Sequence, residues 1–300
     1  MAIKTVKATI NGQTYDLTLN SASGKWEATI TAPGKTSYNL AGGYYNVSVE
    51  ATNEAGTKGS ADASTVDGLK LVVKETVAPV ITIVSPTAGA YVANSKQPVV
   101  FNITDETGGS GVDISTLVVK QDDTAVASAN ITHTAISNGY SVTYTPSAAL
   151  SDGSHTVTIN CKDHDGNAAA KKSTTYTVDT VPPTLNVTSP ADGLITAASS
   201  VTVAGTTNDA TSSPVVITIS LNGTDQGTVA VGTGGTFSKV ITLKEGSNTI
   251  IVKAKDAAGK ESSVTRTVTL DTSVPKIKAA TITPNPVDTG KTMVISVTIE

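Results

Sequence analysis

The sequence predicts an all-β chain, a tandem string of three antiparallel β-sandwiches in an elongated rod. Three observations predict it. The same proline junction occurs three times, as Thr76-Val77-Ala78-Pro79, Thr180-Val181-Pro182-Pro183 and Ser273-Val274-Pro275. Each junction is followed by a β-branched run, beginning at Val80, Thr184 and Ile277. Each is preceded by a strand ending in a polar glycine turn: Asn53-Glu54-Ala55-Gly56, Asp163-His164-Asp165-Gly166 and Asp256-Ala257-Ala258-Gly259. The turn glycines recur about a hundred residues apart, the length of a whole sandwich rather than of a solenoid repeat. A string of small beads argues against one large enzyme core.

The composition agrees. Aromatic residues make up only 4% of the 300, so each core must rest on Val, Ile, Leu and Ala. Thr is abundant and no long helical period runs through the chain, which favours pleated, half-exposed sheets. The formal net charge is −4 and the basic residues are nearly all lysine, with Arg266 the only arginine. Bidentate recognition of phosphates or bases favours several arginines, and no basic stripe with interleaved aromatics occurs, so nucleic acid is not an expected partner. No stretch approaches the roughly 18 apolar residues of a membrane span. Cys161 is the only cysteine, so no intrachain disulfide forms. It lies on the alternation Val157, Ile159, Cys161, the place of a small buried core residue, with no base or oxyanion site beside it. The start, Met1-Ala2-Ile3-Lys4-Thr5-Val6-Lys7, lacks an apolar signal core. Unless a leader was trimmed, this predicts synthesis in the cytoplasm without general export.

Bead 1 is read over 1–75. Asn11-Gly12 is a type I′ hairpin signal between strands at 5–10 and 13–19. Ser23-Gly24 opens the next strand, 25–31, where Trp26 is expected to anchor the core. A loop through Pro33 and Gly42-Gly43 leads to a long strand at 44–52, and 70–74 closes the bead. Bead 2, 76–180, reads as strands at 80–84, 98–104, 116–121, 127–135, 140–145, 155–162 and 173–178, with Asn138-Gly139 as a hairpin signal and Ser151-Asp152-Gly153 as a tight turn. Bead 3, 181–272, reads as strands at 184–187, 200–206, 215–221, 227–231, 236–242, 248–255 and 263–270, with its hairpin at Asn222-Gly223. About seven short strands with turns every 8–12 residues is the immunoglobulin-like pattern. The remaining piece, 273–300, holds two strands near 277–283 and 292–299. Two strands alone are marginal in water. Completion by a partner chain or oligomer, packing on bead 3, and disorder are all open for it. Prolines at the junctions restrict themselves and their predecessors to extended backbone, so a semi-rigid rod on the order of 100 Å is expected.

The densest polar cluster is Asp163-His164-Asp165-Gly166-Asn167. Asp163, Asp165 and Asn167 around a glycine turn present oxygens suited to Ca²⁺, the only cofactor the sequence suggests. The same residues suit an Asx-type turn between two strands, and both readings are open. The equivalent turns of the other beads carry fewer carboxylates, so a calcium site of this kind would be confined to bead 2. Asp105, Glu106 and Asp113 form a second acidic loop, read as a solvated one. His133, His155 and His164 match no zinc spacing and no Ser–His–acid triad. Paired carboxylates for glycoside cleavage need a cleft that narrow sandwiches seldom enclose. Tyr44, Tyr45, Tyr140 and Tyr144 either stack on sugars or cover core edges. No catalytic residue is assigned, and the chain is not expected to be an enzyme.

Thr145-Pro146, Leu150, Asp152-Gly153-Ser154-His155-Thr156-Val157, Asp163, Asp165-Gly166-Asn167 and Val178-Asp179-Thr180-Val181-Pro182-Pro183 resemble the bacterial Ig-like domains of surface adhesins and phage structural proteins. Asp105, Gly108 to Gly111 and Val112-Asp113 are similar to an insert of the same group. Ser189-Pro190, Gly193, Glu245-Gly246-Ser247-Asn248 and Asp256-Ala257-Ala258-Gly259 resemble the Ig-like modules appended to bacterial carbohydrate-active enzymes. The opening, Met1 to Gly12, resembles the leading module of Ig-like proteins in tail regions of Firmicutes phages and prophages. These resemblances imply a non-enzymatic structural or adhesive rod. In the concrete form it is a virion component (tail, baseplate or surface decoration), assembled in the host cytoplasm and projecting toward the host surface. The alternatives are a fragment of a bacterial cell-surface adhesin and an accessory module of a carbohydrate-active enzyme. The implied partners are other virion or surface structural proteins and host cell-wall glycans.

Overall fold

A computed structural model describes residues 2–300. Among these residues the regular structure is β-strand with four single 3₁₀ turns and no α-helix. No helix is long and apolar enough to cross a membrane. The chain is an all-β tandem β-sandwich protein, divided into two compact units, Met1–Asp179 and Thr180–Glu300.

In the first unit, bead 1 contains β1 (Ile3–Ile10), β2 (Gln13–Asn20), β3 (Lys25–Glu27), β4 (Tyr45–Asn53), β5 (Lys58–Ala61) and β6 (Lys70–Leu71). Asn11 and Gly12 both take positive φ, as a two-residue type I′ turn requires, and fix the β1–β2 register. The six strands form one antiparallel sheet in the order β3-β2-β1-β4-β5, with β6 on the far end of β4. This differs from the two facing sheets expected for bead 1. The stretch 28–44, broken by Pro33 and the positive-φ pair Gly42-Gly43, forms no strand that could build a second layer. Its buried apolar side chains are accordingly few: Val6, Ala8, Tyr45 and Ala63. Trp26 is only half-buried, because β3 is a three-residue edge strand.

Bead 2 contains β7 (Val80–Ser85), β8 (Tyr91–Val92), β9 (Val99–Thr104), β10 (Val112–Gln121), β11 (Thr124–Ala125), β12 (Ile131–Ile136), β13 (Gly139–Tyr144), β14 (Gly153–Asp163) and β15 (Lys172–Val178). It is a sandwich of a five-stranded sheet, β11-β10-β14-β15-β8, and a four-stranded sheet, β12-β13-β9-β7. Alternation places Val99, Phe101 and Ile103 of one sheet against Val157, Ile159 and Cys161 of the other, all fully buried. The hairpin β12–β13 turns on Ser137-Asn138, one residue earlier than its Asn-Gly signal suggests. Gly139 lies within β13, where a Cβ would come within 2.0 Å of the Ile103 carbonyl oxygen.

The second unit contains β16 (Thr184–Ser189), β17 (Leu194–Thr196), β18 (Ser200–Asn208), β19 (Val216–Leu221), β20 (Thr224–Val229), β21 (Thr236–Thr242), β22 (Gly246–Lys255) and β23 (Glu261–Leu270), followed by β24 (Ile277–Thr283) and β25 (Val294–Ile299). A three-stranded sheet, β16-β18-β21, faces a five-stranded one, β17-β23-β22-β19-β20. Ile217, Ile219, Ile250, Val252 and Val268 fill the core between them. Both sandwiches add a short strand, β8 or β17, in parallel to the final strand of the bead. The β24–β25 hairpin pairs only with itself, and every residue of it is exposed.

Candidate functional site

The polar glycine turn that marks each bead has one local design. In bead 2, Asp163 at the end of β14 accepts the Asn167 backbone N–H on Oδ1 at 2.8 Å and the Asn167 side-chain amide on Oδ2 at 2.7 Å. In bead 1, Asn53 accepts from the Thr57 N–H at 2.8 Å, and in bead 3, Asp256 accepts from the Lys260 N–H at 2.8 Å. Gly56, Gly166 and Gly259 all take positive φ at the same point of the turn. The first residue of the motif therefore caps its own loop, the Asx-type role.

The bead 2 copy also reaches out of its own bead, toward bead 1. Asp165 Oδ2 accepts the Thr36 hydroxyl at 2.6 Å and the Glu75 N–H at 3.0 Å. The Asp165 carbonyl accepts from Lys74 Nζ at 3.4 Å, and the Asn167 amide donates to the Glu75 carbonyl at 3.2 Å. The His164 ring stacks on Tyr38 of bead 1, with centroids 4.5 Å apart and planes within 10°. From the neighbouring loop, between β9 and β10, the Gly109 carbonyl accepts from Asn39 at 2.6 Å, and the Ser110 N–H donates to Glu75 Oε1. The Ser110 hydroxyl accepts the Asp165 N–H at 3.1 Å and ties the two bead 2 loops together. These contacts make a polar clasp between bead 1 and bead 2. A cation held by Asp163, Asp165 and Asn167 would have to displace these protein donors.

The clasp is acidic at one edge. Glu75, Asp105 and Glu106 come together there, with one carboxylate oxygen of each within 4.8 Å of the others. Asp113, read from sequence into the same acidic loop, instead accepts from Ser115 at 2.5 Å. The Ser115 hydroxyl, with smaller help from the Ser115 N–H and His164, holds the Asp113 carboxyl below its ordinary range despite partial burial. The Glu106 carboxyl is pushed up to about 7, first by its hydrogen bond to the Glu75 carboxylate, then by burial and by Asp105. For Glu75, burial works against the charge but is outweighed by donors from Glu106 and Ser110, so its carboxyl lies below the ordinary range.

His155 is the one buried histidine. Its Nδ1 lies 2.7 Å from Asp122 Oδ2 and its Nε2 lies 2.8 Å from the Ser151 carbonyl oxygen. Both partners are acceptors, which favours the doubly protonated ring and raises the His155 pKa despite burial. Cys161 is buried in the core, where burial raises its thiol pKa, the reverse of an activated nucleophile. His133 packs edge-on to Tyr140 at 5.2 Å, away from both. Tyr45 and Tyr144 are core residues, while Tyr44 lies under Lys70, so the four tyrosines form no common exposed face. A depression of about 350 Å³ is lined by Thr116, Val118, Lys120, Thr158, Asn160, Lys162 and Lys171. Most of these are alternate residues of β10 and β14, so it is the solvent face of a sheet rather than a cleft.

Residues 88–180 match the model of a bacterial Ig-like domain, and residues 183–272 match that of domain B of glucodextranase. No curated protein matches the chain. Among solved structures it is similar to the fibronectin(III)-like modules of Clostridium thermocellum CbhA, at 15% identity and a TM-score of 0.42 over 64% of this chain and 94% of that one. It is also similar to a stretch of titin, at 14% identity and a TM-score of 0.41 over 88% and 85% of the two chains. A 1.5-MDa bacterial ice-binding adhesin is 23% identical, with a TM-score of 0.32 over 89% of this chain and 86% of that one.

Proposed function

From a chain that is a tandem immunoglobulin-like domain protein, we propose a non-enzymatic structural and adhesive role, as a component of a phage or phage-tail-like particle that reaches toward the host surface. The observation that carries the non-enzymatic part is the use made of the bead 2 loops. Loops at the end of a sandwich are where such folds place binding and catalytic groups. Here they clasp bead 1 and set the spacing of two beads. The one buried histidine has both nitrogens engaged by acceptors. The virion part rests on the likeness of the opening residues to the leading modules of phage tail-region proteins. Its partners are then neighbouring virion proteins, with the fully exposed β24–β25 hairpin as the strand edge that docks on them or on a second copy. Proteomics of purified particles and of peptides shaved from intact cells tests this reading. It expects the chain among particle proteins at a fixed stoichiometry, and recovery only from the cell surface overturns it.

A second reading is favoured by the match of residues 183–272 to domain B of glucodextranase. In it the chain is a surface or accessory module that holds cell-wall glycans. Pull-down on purified cell walls distinguishes it: this reading requires saturable retention that is competed by soluble glycan.

A further inference from the structure

We propose that a proton tightens the joint between bead 1 and bead 2: Glu106 carries it and donates it to Glu75 beside Asp105, and its loss to solvent makes the clasp open more often. Glu75 lies in the segment that joins the two beads, and Asp105 and Glu106 lie in the loop that follows β9. One oxygen from each carboxylate lies within 4.8 Å of the other two. Three like charges at this range repel, and one of the three groups is driven to keep a proton.

The second and independent observation concerns oxygens that lack donors. Asp105 is only 7% exposed. Its Oδ2 accepts the Gly111 N–H at 2.7 Å, but its Oδ1 is buried with no hydrogen-bond partner. Glu75 repeats the pattern: Oε1 accepts the Ser110 N–H, and Oε2 is buried without a partner. An ionised carboxylate only accepts, whereas a protonated one also donates. A neutral Glu106 is therefore the donor that these two buried oxygens lack. The backbone permits the convergence: at Gly109 an added Cβ would stand 2.8 Å from Asp105 Oδ2 and 2.8 Å from Glu106 Oε1. Glu106 is itself exposed, so its proton exchanges with bulk water.

The charged groups around the pair come from three elements. Lys35 of the bead 1 loop and Lys74 of the connector line a depression of about 260 Å³ together with Glu75 and Glu106. Among the described residues neither lysine forms an ion pair with the cluster. Asp165, from the loop after β14, adds a negative charge that opposes ionisation of Glu75. His164 of the same loop lies 4.0 Å from Asp113. The Glu106 carboxyl rises from 4.5 to about 7, first through its hydrogen bond to Glu75, then through burial and Asp105. The closed joint thus keeps a proton that the open joint gives up at the ordinary value. Closure weakens as pH rises from 4.5 toward about 7 and is weakest above it. This regulation stands whatever surface the chain attaches to.

The test is carboxyl ¹³C NMR titration of the full chain, with exchange of the Glu75 and Ser110 amides measured in wild type and Glu106→Gln at pH 5.5 and pH 8. Those two amides donate across the joint and report its opening. The glutamine amide donates at every pH, so the variant mimics the protonated joint, and comparison at equal pH cancels the intrinsic rate. Glu106 should titrate near 7, and Glu75→Gln should lower that midpoint by at least about one unit. The two amides should exchange at equal rates in both chains at pH 5.5, and about fivefold faster in wild type at pH 8. A Glu106 midpoint below about 5 would overturn the proposal. So would a midpoint unmoved by Glu75→Gln, or a wild-type to Glu106→Gln exchange ratio that is the same at both pH values.

Discussion

Replacing His155 by Ala removes two hydrogen bonds from the middle of bead 2, the 2.7 Å bond to Asp122 and the 2.8 Å bond to the Ser151 carbonyl. A hydrogen bond to a charged partner contributes about 1.5–3 kcal/mol. The Asp122 side chain is 46% exposed, so water screens that bond and the lower end applies. The bond to the neutral carbonyl adds about 1 kcal/mol, which makes the expected loss about 2–3 kcal/mol at pH 6. Burial disfavours the charged ring, but Asp122 and the Ser151 carbonyl together outweigh it, so the folded pKa of His155 is raised. The contribution is therefore fully present below the unfolded value of about 6.5 and fades as pH rises through the higher folded value. On the acid side, burial opposes the Asp122 charge but the His155 and Thr156 bonds win, and the folded pKa of Asp122 is lowered. That part is present above the unfolded value of about 3.9 and is lost as pH falls through the depressed one. Urea denaturation of wild type and His155→Ala at pH 6 and pH 9, at constant m-value, reads both numbers. The gap should narrow to about 1 kcal/mol at pH 9, when only the neutral bonding and packing remain. A gap below about 0.5 kcal/mol at pH 6, or one of equal size at both pH values, refutes the reasoning.

Two further changes probe the junction and the C-terminal hairpin. Asp165→Ala removes the nearer acceptor of the buried Thr36 hydroxyl, which keeps the Val73 carbonyl at 3.3 Å, and the acceptor of the Glu75 N–H, and should cost bead 1 about 1–2 kcal/mol, seen as bead 1 amides exchanging hydrogen before those of bead 2. Deleting residues 275–300 removes no buried residue, so the thermal midpoint of the remaining chain should move by no more than about 1 °C while any self-association or particle incorporation is lost.

The sandwiches were legible because their strands alternate: Val157, Ile159 and Cys161 read as one buried face and are one. The short strands β8 and β17 were not, because two or three residues carry no period and their pairing is parallel to a strand some eighty residues away. Bead 1 misled in the other direction. Its hairpin signals are sound, but hairpins form equally well in one sheet or two, and only the missing strand in 28–44 decides. At the candidate site, the capping by Asp163 is local and was one of two readings the turn allowed. The reach of Asp165 to Thr36, 129 residues away, has no local signal. The same holds for the meeting of Glu75 with Asp105 and Glu106, read from sequence as a solvated loop.

A spacer needs its beads held at a fixed geometry, and the clasp supplies this for bead 1 and bead 2. Backbone ¹⁵N relaxation on the full chain measures it directly. Amides of β1 and β4 in bead 1 should report the same rotational correlation time as those of β9 and β14 in bead 2, and Asp165→Ala should separate them. A shorter correlation time for bead 1 in the wild-type chain would contradict the account.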